Sequence, residues 1–214
     1  MKRSILIALF ASVWIAASAQ QVGSYTNSFF DDSFSVTAVK KKDGALSSVR
    51  VSVLTHYYHS PLEMVSVWKD YKQGKLGNEV ISQGSIGIEA KNIEAFKAAM
   101  LSARDEYLKM CKTSQENGAA GMKQKMKTKF PKVFASWCPG NYNEWFKWGL
   151  RVKLTFQTMD GGRMVAIWNP RVTVTNPSNR QYTDMRDMYL VLACKEDFDS
   201  IVSLLDVNMI QKDL

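Results

Sequence analysis

Residues 34–54, FSVTAVKKKDGALSSVRVSVL, carry the pattern from which the fold class follows. Apolar and polar residues alternate on both sides of a charged centre, which is the period of a strand with one face buried. The centre, Lys40–Gly44, ends in Asp-Gly, which is typical of tight turns between antiparallel strands. The pattern predicts a β-hairpin over residues 34–55. Its buried face carries Phe34, Val36, Ala38, Val49, Val51 and Val53.

Two helical patterns follow the hairpin. Ser60-Pro61-Leu62-Glu63 combines a capping serine, a proline at the first helical position and a capping-box glutamate, and predicts a helix that ends at Gly74. From Ile93 to Met110 an apolar residue recurs every three or four positions, which predicts a long helix that is capped by Asn92, packs on the sheet and is ended by Asn117-Gly118. The apolar stripe consists of Ile93, Phe96, Met100, Ala103, Tyr107 and Met110.

Strand patterns occupy most of the remaining chain. They cover residues 79–89, 122–138, 148–158, 163–175 and 188–194, and a last helical pattern covers residues 196–211. Asp160-Gly161-Gly162 predicts a turn, and Pro170 predicts an edge or a bulge because proline cannot donate a ladder hydrogen bond. Antiparallel strands with few helices predict an α+β fold, in which helices cover one face of an antiparallel sheet. We expect a single domain over residues 34–214.

The N-terminus predicts export. Two basic residues precede the apolar run of residues 5–17, and Ala17-Ser18-Ala19 supplies the small residues that signal peptidase accepts. The run is too short for a transmembrane helix, which needs about 20 apolar residues. We therefore expect residues 1–19 to be a cleaved signal peptide and residues 20–33 to be a flexible leader. The mature protein is expected to be periplasmic or secreted, without a transmembrane segment.

The composition narrows the classes of function. The 214-residue chain has 46% hydrophobic and 22% charged residues, which is ordinary for a globular protein and excludes a collagen, a coiled coil or a disordered chain. The formal charge is +8, and it falls to +6 without the two basic residues of the signal peptide. A modest basic excess on an exported protein indicates anionic glycans, envelope lipids or an acidic protein as partners, rather than nucleic acid.

The residues that could carry chemistry form no recognisable catalytic site. An odd number of cysteines, Cys111, Cys138 and Cys194, leaves at least one thiol unpaired in an oxidising compartment. One disulfide with one free thiol, a thiol nucleophile, and three small buried residues all remain open, and we favour the last. His56 and His59 lack a third ligand nearby, so we predict neither a metal nor another cofactor. Neither a phosphate-binding loop nor a nucleophile elbow is present. We expect a non-enzymatic protein, with a secreted hydrolase acting on an envelope polymer as the alternative.

A basic strip and an aromatic cluster supply the candidate binding residues. Lysines alternate with mostly apolar residues between Met122 and Phe130, which on a strand places four ammonium groups on one face. Such a strip binds phosphate or sulfate groups, or protects an exposed strand edge against pairing, which is the more usual role. The aromatic rings, with Phe146 among them, would stack on sugars or bind a protein if exposed, but we expect most of them to be buried. The candidates are Lys123, Lys125, Lys127, Lys129, Trp137, Tyr142, Trp145 and Trp148.

Residues 78–88 carry a strand, a glycine and an apolar strand, and residues 149–169 form a hairpin pattern around Asp160-Gly161-Gly162-Arg163. Both segments resemble an uncharacterised family of secreted bacterial envelope domains with a TBP-like fold. The resemblance implies a TBP-like, helix-grip order, interrupted here by an insertion at about residues 90–148. That family has no established activity, so the resemblance implies no chemistry. We expect an exported binding or structural module of the bacterial envelope, with an anionic glycan or lipid as ligand.

Overall fold

A computed structural model describes residues 19–56, 82–118, 121–137, 145–175, 182–207 and 210. Within these ranges the chain forms eleven strands, all paired antiparallel, and two α-helices, which confirms the predicted α+β fold. The strands are β1 (Ala19–Asn27), β2 (Asp32–Lys40), β3 (Leu46–His56), β4 (Ser82–Glu89), β5 (Lys123–Lys125), β6 (Lys132–Trp137), β7 (Trp145–Arg151), β8 (Thr155–Thr158), β9 (Met164–Trp168), β10 (Arg171–Thr175) and β11 (Tyr182–Leu192). The helices are α1 (Ile93–Asn117) and α2 (Lys195–Leu204).

The predicted hairpin is confirmed as β2 and β3. Val36 lies opposite Val51, and the amide of Lys41 donates to the carbonyl oxygen of Ala45 across the turn, at 2.8 Å. All six residues expected on the inner face are buried. The period-2 pattern therefore identified both the pairing and the face that meets the core.

The flexible leader expected over residues 20–33 is wrong, because most of it belongs to the sheet. β1 pairs along the length of β2, with Tyr25 opposite Phe34. Asn27, only 1% exposed, donates through its Nδ2 to the carbonyl oxygen of Val191 at 2.6 Å. Its Oδ1 accepts from the amides of Phe29 and Phe30. One buried polar side chain thus satisfies three backbone groups and holds this segment in place. Such a contact cannot be predicted from the periodicity of apolar residues.

β11 joins two antiparallel sheets. One of its edges pairs with β10 and then with β9, and the other edge pairs with β3, where Tyr189 lies opposite Leu54. The strand order along the pairings is β5-β8-β9-β11-β3-β4-β6-β7, with β2 also on β3 and β1 on β2. Asn169 and Pro170 separate β9 from β10, so the predicted interruption at Pro170 is confirmed. β7 comes within 8 Å of β10, Cα to Cα.

The two helices cover one face of the sheet. All six residues of the predicted α1 stripe are buried, and Phe96 and Met100 face Val51, Ile86 and Leu190. α1 ends at Asn117 with Gly118 as its C-cap, as predicted, whereas the Asn92 side chain makes no cap and instead donates to the carbonyl oxygen of Lys132, at 3.5 Å.

Two further helices were predicted, one that begins at Ser60 and one over residues 196–211, and their outcomes differ. α2 ends at Leu204, earlier than predicted, and the helix predicted from Ser60 lies outside the described residues. In the part of the chain that the structure describes, no helix is long and apolar enough to cross a membrane.

Candidate anion-binding cleft

The segment that carries the four lysines is not the continuous strand that we expected. β5 contains only Lys123–Lys125, and a non-strand segment leads from Met126 to Pro131, where β6 follows. The alternation survives, because Met126 and Phe130 are buried in the core while the four lysines are exposed. The predicted burial pattern is therefore right, although the predicted strand is wrong over residues 126–131.

Hydrogen bonds that do not belong to a sheet explain the shape of this segment. The amide of Met126 donates to the carbonyl oxygen of Leu154, at 3.0 Å. Glu106 of α1 accepts the amides of Lys127 at 2.6 Å and of Thr128 at 3.0 Å, and also the Thr128 hydroxyl at 2.8 Å. A carboxylate thus replaces the neighbouring strand as the acceptor, because backbone N–H groups need a partner when they leave a ladder.

Two cavities flank the chain between β7 and β8. The smaller, of about 320 Å³, lies between residues 125–130 and residues 151–155. The larger, of about 920 Å³, is bounded by Lys123, by residues 149–151, by residues of β8 and by the end of β9. Arg151, Lys153 and Thr155 line both cavities, so the two are neighbouring parts of one cleft.

The larger cavity lies on the sheet face that is turned away from α1. Phe156 contacts Tyr107 of α1, with ring centroids 5.9 Å apart. Because side chains alternate along a strand, its neighbours Thr155 and Gln157 point to the opposite face. Ile167, Trp168 and Tyr189 are buried residues that also contribute to this cavity, and Asn169 and Pro170 close its far end.

The cleft is strongly basic. Six cationic side chains line it, and all six are exposed: Lys123, Lys125, Lys127, Lys129, Arg151 and Lys153. The described lining contains no aspartate, glutamate, histidine or cysteine. Among the described residues, none of the six forms an ion pair; the pairs that exist lie elsewhere, for example between Arg104 and Asp199. We call these six residues and the two cavities the basic cleft.

Sequence reasoning identified four of the six cations and missed Arg151 and Lys153. Both belong to a second alternating segment, in which they flank Val152 and Leu154. Val152 and Leu154 are buried, while Arg151 and Lys153 are exposed. The same alternation was therefore present in this segment, but only the contact between Met126 and Leu154 shows that it joins the lysine strip.

The aromatic cluster is divided between described and undescribed residues. The backbones of Trp137 and Trp145 lie opposite each other in β6 and β7, and Tyr142 lies outside the described ranges. Trp148 is 61% exposed and Phe146 is 40% exposed, so the expected burial is wrong for these two. Their position follows from the strand register, which places them on the sheet face opposite the helices.

A buried ring supports the exposed pair. Phe134 lies 4.5 Å from Trp148, between ring centroids, and 6.1 Å from Phe146. It packs over Gly87 of β4, where a Cβ atom would overlap the ring. Gly149, which has a positive φ of 76°, follows Trp148 and begins the wall of the larger cavity. Trp148 therefore directly precedes, in the chain, a residue that lines the larger cavity.

The described thiols do not have the character of a catalytic or metal site. Cys111 and Cys194 are free, and burial raises the pKa of both thiols. A raised pKa lowers the thiolate fraction, so neither residue has the character of an activated nucleophile. His56 ends β3 opposite Asp187, whereas Cys138 and His59 are not among the described residues. No group of three potential metal ligands occurs within the described ranges.

Comparison of the chain with protein-family models, with curated proteins and with solved structures finds no match.

Proposed function

We propose that the protein is an exported, non-enzymatic module that binds an anionic glycan of the bacterial envelope in the basic cleft. One observation carries the proposal: six cationic side chains converge on two adjoining cavities, and the described lining offers no carboxylate to neutralise them. The apolar run of residues 5–17 and the small residues before Gln20 support export. The resemblance to TBP-like envelope domains supports the same compartment, and a TBP-like order with an inserted α1 is part of the proposal.

The positive charge of the basic cleft predicts that it selects ligands with several negative charges. Clustered like charges repel one another, and a concave surface lined by one sign of charge concentrates counter-ions from solution. Single exposed pairs contribute only about 0–1 kcal/mol each, so binding is expected to depend on several cations acting together. A polymer that carries phosphate or sulfate groups at intervals satisfies this requirement.

Edge protection explains only part of the basic cleft. Lys123 and Lys125 lie on β5, which ends the strand order, so they are placed to discourage pairing with another chain. Lys127, Lys129 and Lys153 lie outside the strands and have no strand edge to protect. Their convergence with Arg151 favours anion binding over the protective role. The exposed rings of Phe146 and Trp148 would add stacking contacts with sugars beside the cleft.

Heparin affinity chromatography tests the proposal. We expect the wild-type protein to be retained at low salt and to elute well below about 0.5 M NaCl, where screening shortens to a few ångströms. The variant K123Q/K125Q/K127Q/K129Q should lose retention. The control K41Q/K42Q/K109Q/K112Q removes the same charge from exposed lysines outside the cavity linings, and it should remain bound.

Three outcomes would count against the proposal. Absence of wild-type retention at low salt would refute anion binding, and equal losses in both variants would show that only net charge matters. Aggregation of the first variant on concentration, with retention unchanged, would favour edge protection. The hydrolase alternative is tested by incubating the protein with peptidoglycan, envelope glycan and ester substrates, and we expect no turnover.

A further inference from the structure

We propose that the basic cleft recognises a phosphorylated sugar in two parts, with the phosphate in the smaller cavity and the sugar in the larger one. This inference rests on the proposed function, because it names the chemical unit of the anionic glycan that the cleft selects. It also gives Arg151 and Lys153 a specific role, as the residues that contact the phosphate where it joins the sugar.

The smaller cavity has the lining of a phosphate site. Five of the six cations surround its volume of about 320 Å³. The guanidinium of Arg151 presents paired N–H donors that match two phosphate oxygens, and the lysines add point charges. Glu106 lies beneath this segment, but its oxygens already accept three hydrogen bonds from Lys127 and Thr128. The carboxylate is therefore engaged with the backbone and is not directed at an incoming anion.

The larger cavity has a different chemistry, and this difference argues for a sugar. Its volume of about 920 Å³ lies in the range of small-molecule sites. Beyond the shared Arg151 and Lys153, its lining contributes one cation, Lys123. The other polar side chains available there are neutral: Thr155, Gln157 and Asn169. Ile167 and Tyr189, which are largely buried, add a small apolar area to the lining, and a sugar ring likewise combines hydroxyl groups at its rim with apolar C–H faces.

Two amide side chains are available for the sugar hydroxyls. Within the described residues, the side chains of Gln157 and Asn169 make no hydrogen bond. Gln157 is partly buried on β8, and Asn169 is exposed between β9 and β10. An amide offers both a donor and an acceptor, as does a hydroxyl group, so these residues can recognise the hydroxyl groups of a neutral sugar. Inorganic phosphate lacks this sugar and gains nothing from them.

The shared wall connects the two parts. Arg151, Lys153 and Thr155 line both cavities, so a ligand that fills them must carry its negative charge next to its neutral ring. A phosphate ester of a sugar has this arrangement, and it recurs along phosphate-substituted glycans. Inorganic phosphate would fill only the smaller cavity, and an unsubstituted sugar only the larger.

Isothermal titration calorimetry at low salt with glucose 1-phosphate, inorganic phosphate and glucose tests the inference. We expect glucose 1-phosphate to bind about tenfold or more tightly than inorganic phosphate, since two or more hydrogen bonds are added. Q157L and N169A should each reduce the affinity for glucose 1-phosphate by roughly fivefold and leave that for inorganic phosphate unchanged. K127Q/K129Q should weaken both ligands, whereas the control K41Q/K42Q should weaken neither.

The outcomes separate this inference from the proposed function. Equal affinities for glucose 1-phosphate and inorganic phosphate, with heparin still retained, would overturn the two-part site and leave anion binding intact. If the wild-type protein also failed to be retained on heparin, both the two-part site and the proposed anion binding would be overturned. Because Asn169 is exposed, N169A is expected to fold even if Q157L does not, and an unchanged affinity in N169A would also count against the assignment of the sugar to the larger cavity.

Discussion

Lys132 and Arg151 lie directly opposite each other in the antiparallel pair of β6 and β7. Both side chains are exposed, and neither forms an ion pair with a described residue. The register places their Cβ atoms about 5 Å apart, a distance at which like charges destabilise a sheet. The edge of the basic cleft therefore contains an electrostatic repulsion that a bound anion would relieve.

Replacing Lys132 with threonine removes this repulsion and keeps a residue that favours strands. At low salt we expect the free energy of unfolding, measured by urea denaturation, to rise by about 0.2–1 kcal/mol. The gain should disappear at high salt, because screening already weakens the repulsion in the wild-type protein. K147T is the matched control, since Lys147 lies opposite the uncharged Ala135 in the same strand pair. Equal effects of the two substitutions would contradict the explanation.

Glu106 is expected to hold the lysine segment in place. E106Q keeps the shape of the side chain but leaves a single acceptor oxygen for three donors. We expect a loss of about 1–3 kcal/mol in the free energy of unfolding. Hydrogen exchange at the amides of Lys127 and Thr128 should become faster, which a general loss of helix stability would not predict for these two positions alone.

A second glutamate of α1 provides the control for that experiment. Glu94 is exposed and, among the described residues, pairs only with Lys97, at 3.1 Å, so E94Q should change neither the stability nor the exchange by a comparable amount. Unchanged exchange at Lys127 and Thr128 in E106Q would show that other contacts hold the segment.

Gly87 and Phe134 should be coupled through their close packing. G87A places a methyl group where the Phe134 ring now lies, and overpacking of this kind costs about 1–3 kcal/mol. F134L in the same chain should recover part of that loss, so a double-mutant cycle should give a favourable coupling free energy. Trp148 fluorescence should change in G87A, because its ring contacts Phe134. Strictly additive effects would argue that the ring moves aside without cost.

Local periodicity predicted the elements whose partners are close in sequence. The β2–β3 hairpin and the buried stripe of α1 were both correct, because the spacing of apolar residues alone decides which face is buried. The cleft could be predicted only in part. The alternation of the four lysines with Met126 and Phe130 predicted that the lysines would be exposed. Their proximity to Arg151 depends on the backbone hydrogen bond from Met126 to Leu154.

The position of β1 could not be predicted for a similar reason. Asn27 lies 164 residues from Val191, the residue whose carbonyl oxygen its side chain binds. The exposed start of β1 carries no buried alternation, so the segment lacks the usual strand pattern. Long-range hydrogen bonds of single buried polar residues leave no periodic trace in a sequence.

N27A tests whether β1 is an integral part of the fold. It leaves the Val191 carbonyl oxygen and the amides of Phe29 and Phe30 without their partner, and each unsatisfied buried group costs about 1–3 kcal/mol. We expect a large fall in the thermal midpoint and increased protease sensitivity of residues 20–33. N27D retains the acceptor oxygens but loses the donor to Val191 and buries a carboxylate beside its carbonyl oxygen, so it should also be strongly destabilising. A stable N27A protein would restore the view of this segment as a loose leader.

Asp199 should give the protein an acid-sensitive contact between α1 and α2. Hydrogen bonds from Lys195 at 2.7 Å and from Arg104 at 2.6 Å lower the pKa of the Asp199 carboxyl below its ordinary value. A carboxyl whose pKa is lower in the folded state stabilises the fold fully above its unfolded pKa of about 4. That contribution is lost as the pH falls through the lower, folded pKa.

We therefore expect D199N to be less stable than the wild type at pH 6, by about 1 kcal/mol or less because the pair is partly exposed. The difference should shrink as the pH falls below about 4, because protonation then breaks the same contact in the wild-type protein. Urea denaturation at a series of pH values measures this convergence. E116Q is the control, since Glu116 is exposed and lies 4.0 Å from Lys112. A difference between wild type and D199N that stayed constant down to pH 2 would exclude ionisation of Asp199 as its source.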